Sequence, residues 1–169
     1  MLWCDCTFSA ACRCQRNCST KREIDGMKVG ILMDPIAGIN VKKDTTLAMM
    51  LECQRRDWEI FYLEPQDVWL RDGIIWGRMH AIEVWDNPKN WYELGDVIEQ
   101  PLVELDCLLM RKDPPFDMEY VNMTYLLEQA ESQGLLVVNR PRSLRDANEK
   151  LFTAWFPQCC PKTHCVSLA

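Results

Sequence analysis

Between residues 27 and 156 the apolar positions alternate between two periods, and this alternation predicts a series of strands and helices. Met27–Met33 (MKVGILM) is a nearly continuous apolar run, as expected of a parallel strand buried on both faces. It ends at Asp34-Pro35, a turn signal, and the polar loop DPIAGINVKKD follows. Thr45–Arg56 has helical spacing, with Leu47, Met50 and Leu51 on one face and Asp44 or Thr45 as cap. Glu59–Leu63 (EIFYL) is the next strand. Val68–Leu70 and Ile74–Trp76 flank Arg71-Asp72-Gly73, a hairpin signal with an Asp-Gly turn, and Ala81–Trp85 adds a further strand to that excursion. Residues 87–101 (NPKNWYELGDVIEQP) keep neither period and read as loop with a short helix.

Order returns at Asp106–Met110 (DCLLM), a second buried strand. Met118–Gln133 is a helix with Tyr120, Met123, Leu126, Leu127 and Ala130 on its apolar side and Asp117 as N-cap. Leu135–Val138 is a strand. Ser143, with Asp146 three residues on as a capping-box variant, is expected to cap a last helix running through Phe156. Leu144, Ala147, Leu151 and Trp155 form the core face of that helix. The pattern predicts an α/β domain: a mostly parallel sheet with flanking helices and a hairpin excursion. Ligands of such sheets bind beyond the carboxyl ends of the strands, where DPIAGINVKKD and RKDPPFD fall.

Composition changes the picture mainly at the two ends. Apolar residues make up 48% of the 169 and charged residues 26%, enough to build a core. The net charge of −6, with no basic cluster, argues against nucleic-acid and anionic-membrane binding. No apolar run reaches the roughly 18 residues of a membrane span, and no secretory signal opens the chain. A cytoplasmic protein is therefore expected. Eight of the ten cysteines lie within residues 1–26 and 157–169. The 130 residues between carry 14 basic and 22 acidic groups, a net −8.

Cys4, Cys6, Cys12, Cys14 and Cys18 suggest a zinc site, but both pairs enclose one residue where structural sites place two to four. Residues 1–26 read instead as a disordered leader, or as translation from a start upstream of Met27. The generic motifs of chemistry are missing. Gly38 stands alone after the first strand, so no GxGxxG forms, and GINVKKDTT lacks the order of a phosphate loop. His80 and His164 have no ligand spacing.

Three strings, MDPIAGINVKKDTTLAMMLE, LMRKDPPFDMEY and VVNRPRSLRDANEKLFTAWF, closely resemble the amino-terminal part of bacterial glutathione synthetase, in order, over residues 27–156. The resemblance implies a pre-ATP-grasp, Rossmann-like domain. It also implies a ligase that uses ATP and magnesium to phosphorylate the cysteinyl carboxylate of γ-glutamylcysteine, which glycine then attacks. By this resemblance Arg111, Asp113, Asp34, Asn40 and Lys43 belong to substrate binding and Lys150 to the ATP phosphates.

The residues themselves leave alternatives open. The Arg111 guanidinium suits bidentate recognition of a carboxylate, or pairs with a neighbouring acid to hold its loop. Asp34, Asn40 and Lys43 contact substrate, or form turns and a helix start, and Asp113 before Pro114-Pro115 reads as a turn former. After Phe156 the chain reads PQCCPKTHCVSLA and leaves the family pattern, without the glycine-rich loop and magnesium ligands of the ATP-grasp portion. The expectation is an inactive amino-terminal fragment with an aberrant tail over 157–169. The alternative is a short non-catalytic binding or assembly module. An uncovered apolar face would favour a homo-oligomer or other self-association.

Overall fold

Successive residues of the first two strands supply opposite cores, and this fixes the layers of the molecule. A computed structural model describes residues 26–148 and 150–164. The strands are β1 (Lys28–Leu32) and β2 (Glu59–Leu63). Val29, Ile31, Ile60 and Tyr62 pack on one face of the sheet, whereas Leu32, Phe61 and Leu63 pack on the other. A strand that feeds two cores must be apolar throughout, and KVGIL and EIFYL are so patterned.

The helix α1 (Thr45–Arg55) covers the first face through Leu47, Met50 and Cys53. Asp44 caps it, with Oδ1 accepting from Thr46 N at 2.6 Å and Leu47 N at 3.0 Å. The helix α2 (Met118–Ser132) covers the opposite face through Met123, Leu127 and Ala130. Its cap is Asp117, which accepts from Tyr120 N at 2.9 Å.

Seven strands form one mixed sheet. In addition to β1 and β2 these are β3 (Val68–Arg71), β4 (Ile74–Val84), β5 (Tyr92–Pro101), β6 (Cys107–Met110) and β7 (Leu136–Val138). Parallel pairing joins β2–β1–β6–β7, with Leu32 opposite Met110. On the other side β4 runs antiparallel to β2, β3 and β5. The α/β class, the parallel core and the hairpin excursion thus agree with the sequence pattern. Asp72 and Gly73 take φ of 51° and 81° at the β3–β4 turn, the positive values a two-residue hairpin demands. Gly77 is required for packing: a Cβ there would lie 2.6 Å from Leu102 Cδ2, a fully buried side chain.

Three expectations need correction. The segment 81–85 is no separate strand, because β4 runs unbroken from Ile74 to Val84. Residues 92–101 form β5 rather than loop and short helix. This strand buries almost nothing and is held by its ladder to β4, with Gly95 and Asp96 bulged opposite Ala81. Without a buried face it has no hydrophobic period to detect.

The last helix, α3 (Pro141–Asp146), starts before Ser143 and stops ten residues short of Phe156. Pro141 takes its first position, so Ser143 is inside the helix and caps nothing. The Asn148 side chain then accepts from Lys150 N and Leu151 N, each at 3.0 Å, and starts a new turn at Phe152–Trp155. Leu144 is half-buried against the core, but Ala147, Leu151 and Trp155 are exposed, the last by 68%. The leader expected over residues 1–26 lies, except for Gly26, outside the described residues, as do the five cysteines of the zinc reading.

Candidate functional site

Because β1 and β6 are parallel neighbours, their carboxyl ends deliver two loops to the same place. The ladder continues one step past Met110, with Arg111 N donating to Leu32 O at 2.7 Å. The Asp34 carboxylate then ties the loops together. Its Oδ2 accepts from Asp113 N at 2.8 Å and its Oδ1 lies 3.5 Å from Lys112 Nζ. The amino end of α1 forms the third wall. These elements enclose a cleft of about 160 Å³ lined by Asp34, Lys43, Thr45, Thr46, Arg111 and Asp113, among others.

Arg111 spans from β6 to α1. Its Nε donates to Thr46 Oγ1 at 3.1 Å and its Nη2 to Thr45 Oγ1 at 2.7 Å. Arg111 makes no ion pair with any described residue, so the alternative in which it pairs with a neighbouring acid is not realised there. Arg111 is half-buried and its guanidinium is held by two neutral hydroxyls.

The remaining sequence candidates divide by role. Asn40 builds the loop: its Oδ1 accepts from Lys42 N at 3.2 Å, and its carbonyl accepts from Lys43 N and Asp44 N, both at 2.9 Å. It lies on an open depression adjoining the cleft, shared with Asp34, Lys43 and Asp113. Lys43 lines the cleft and makes no ion pair with any described residue. Lys150 is placed apart from this group. It lines a separate cleft of about 720 Å³ with Lys112, Phe116, Tyr120, Arg140 and Ser143.

Tyr62 secures the first loop from below. Its hydroxyl accepts from Ile36 N at 3.1 Å and donates to Glu64 Oε1 at 2.6 Å. Burial, then the bond to Glu64, pushes its ionisation far above the ordinary range, so it remains a neutral donor. Thr45, Thr46 and Lys112 escape the sequence reading. The first two look like helix-start residues and the third like a solvated lysine, although its side chain is only 13% exposed.

The described residues do not fit a magnesium ion. No three His, Cys, Asp or Glu side chains among them come together as a ligand set. Two of the three acids at the cleft already accept from the backbone, Asp34 from Asp113 N and Asp44 from the start of α1. No described helix is long and apolar enough to cross a membrane.

Residues 27–145 match the family model "Prokaryotic glutathione synthetase, N-terminal domain". The chain belongs to that family. Among its relatives, the glutathione synthetase of Coxiella burnetii is 61% identical over 137 residues. Those of Pseudomonas putida and Shewanella oneidensis are 56% and 52% identical over the same length. Each match covers 81% of this chain but only 43–44% of the relative, so the chain spans less than half the length of the synthetases it resembles. The family membership agrees with the resemblance carried by the DPIAGINVKKD, RKDPPFD and LRDANEKLFTAW strings.

Proposed function

We propose that this chain supplies the amino-terminal domain of an ATP-dependent ligase joining γ-glutamylcysteine to glycine in the cytoplasm, and that its own part is to hold a carboxylate of the dipeptide. The observation that carries this reading is Arg111: a fixed guanidinium with no ion pair among the described residues, in a cleft at the carboxyl ends of parallel strands. Lys43 adds a second cation to the same cleft. Asp34 and Asn40 act as loop builders, and Asp113 contributes through its backbone N–H. Lys150 is proposed to meet an ATP phosphate from the neighbouring cleft. The magnesium ligands and the nucleotide pocket are assigned to a part of the relatives that this chain does not match, and the chain alone is proposed to be inactive.

The test is a chimera. Residues 27–156 replace the matching segment of the Coxiella burnetii synthetase, and ligation is followed by phosphate release. The chimera is expected to be active, with Arg111→Ala raising KM for the dipeptide roughly tenfold or more, the scale of a lost charge-assisted hydrogen bond. KM for ATP should stay within about twofold. A folded but inactive chimera, or unchanged dipeptide kinetics in the variant, overturns the reading.

A further inference from the structure

The Arg111 guanidinium has two edges that can grip a carboxylate with paired N–H groups. One is the side edge formed by Nε and Nη2, the other the end formed by Nη1 and Nη2. The side edge is already taken, by two hydroxyls on two different residues at 3.1 and 2.7 Å. We infer that Thr45 and Thr46 are positioning residues for Arg111: they fill its side edge and leave its end to receive the ligand carboxylate. The inference rests on the carboxylate-binding reading of Arg111 above.

Three features support it. First, the hydroxyls are not needed as helix caps, because Asp44 Oδ1 already satisfies Thr46 N and Leu47 N. Second, Thr46 is 3% exposed, and a buried hydroxyl needs a partner, which here is the Arg111 Nε–H. Third, the acceptors are neutral. An aspartate at either position would grip the guanidinium more strongly but would cancel the charge a ligand must meet. Threonine is also stiff about χ1, so each oxygen has few places to go. The Leu32–Met110 register brings Arg111, 65 residues from Thr46, over the start of α1.

A structural role alone would make Thr46 a satisfied core hydroxyl, and the test separates the two. In the 169-residue chain, Thr45→Val, Thr46→Val, Thr46→Ser and Arg111→Ala are compared by three readouts: thermal melting, the water-exchange rate of the Arg111 Nε proton by NMR, and γ-glutamylcysteine affinity by calorimetry. Both valine variants should stay folded and bind the dipeptide about tenfold more weakly, as one bond to a charged group implies, and Thr46→Val, which removes the acceptor of the Nε proton, should release that proton about tenfold faster. Thr46→Ser should restore both within about twofold. A folded Thr46→Val variant with unchanged Nε exchange would overturn the inference, as would a serine variant that rescues melting alone. If Arg111→Ala binds as well as the parent, or the parent does not bind, the carboxylate reading of Arg111 fails. The Nε exchange rate then still decides whether Thr46 holds the guanidinium.

Discussion

Cys53 on α1 and Cys107 on β6 are 6% and 7% exposed, whereas Cys159 is open to solvent. Burial raises both inner thiols above their ordinary range; at Cys53 it outweighs the opposing charge of Arg56, and at Cys107 the neighbouring Cys53 and Asp106 add to it. A raised thiol keeps little thiolate at neutral pH, and the thiolate is the nucleophile. Iodoacetamide at pH 7.5 should therefore label Cys159 in the native chain and leave Cys53 and Cys107 unlabelled until denaturant is added, as read by peptide mass spectrometry. Rapid native labelling of Cys107 would show that β6 opens. Legibility at this scale was uneven. Arg111 could be picked out because it follows a buried strand at the ligand edge, and Asp34 because it opens the turn after β1. Thr45 and Thr46 were hidden because a hydroxyl at a helix start has a local use that explains it. Their bonds to Arg111 cross 65 and 66 residues of sequence, and no local pattern records them.

At the scale of the element, α1 also carries a small pH-sensitive cluster. Arg55 and Arg56 both reach Glu52, at 2.7 Å each, and their hydrogen bonds hold its carboxyl at about 2, well below the ordinary 4.5. A depressed carboxyl favours the folded state above its unfolded value, and the gain is lost as pH falls toward the folded value. The melting difference between the parent chain and Glu52→Gln should therefore be present at pH 6 and shrink between about pH 4.5 and 2. Solvent screens all three side chains, so the gap should be only a degree or two and diminish further in salt. A gap that stays constant with pH would mean that Glu52 acts through helix propensity instead. Elements with a buried face were legible for the same reason that they are stable. The strands β1, β2 and β6 feed two cores, and α2 carries one apolar stripe. The failures lacked that link. β5 is ordered by backbone pairing to β4. Residues 147–156 keep helical spacing of apolar side chains, but among the described residues nothing covers them, and the Asn148 turn interrupts the helix.

For the whole molecule, both cores close within a continuous stretch. Every buried apolar side chain described lies between Val29 and Pro141, and α3 docks on α2 through Arg145, which pairs with Glu128 and Thr124 and stacks 4.3 Å over Tyr125. The first described strand is tied at its very start. Met27 O accepts from Glu59 N, Lys28 N donates to Asp106 Oδ2, and Lys28 O accepts from Asp106 N, each at 2.9 Å. Such a sheet needs no anchor upstream of Met27, since its edge at that end already has its hydrogen bonds. We therefore expect a chain starting at Met27 to melt within about 3 °C of the 169-residue chain by calorimetry, less than one substantial interaction is worth in a domain of this size. A fall beyond about 5 °C would mean that residues 1–26 pack on the domain and belong to it. The comparison must be made under reducing conditions, because five cysteines leave with the deleted segment and cross-links among them would shift the melting of the longer chain alone.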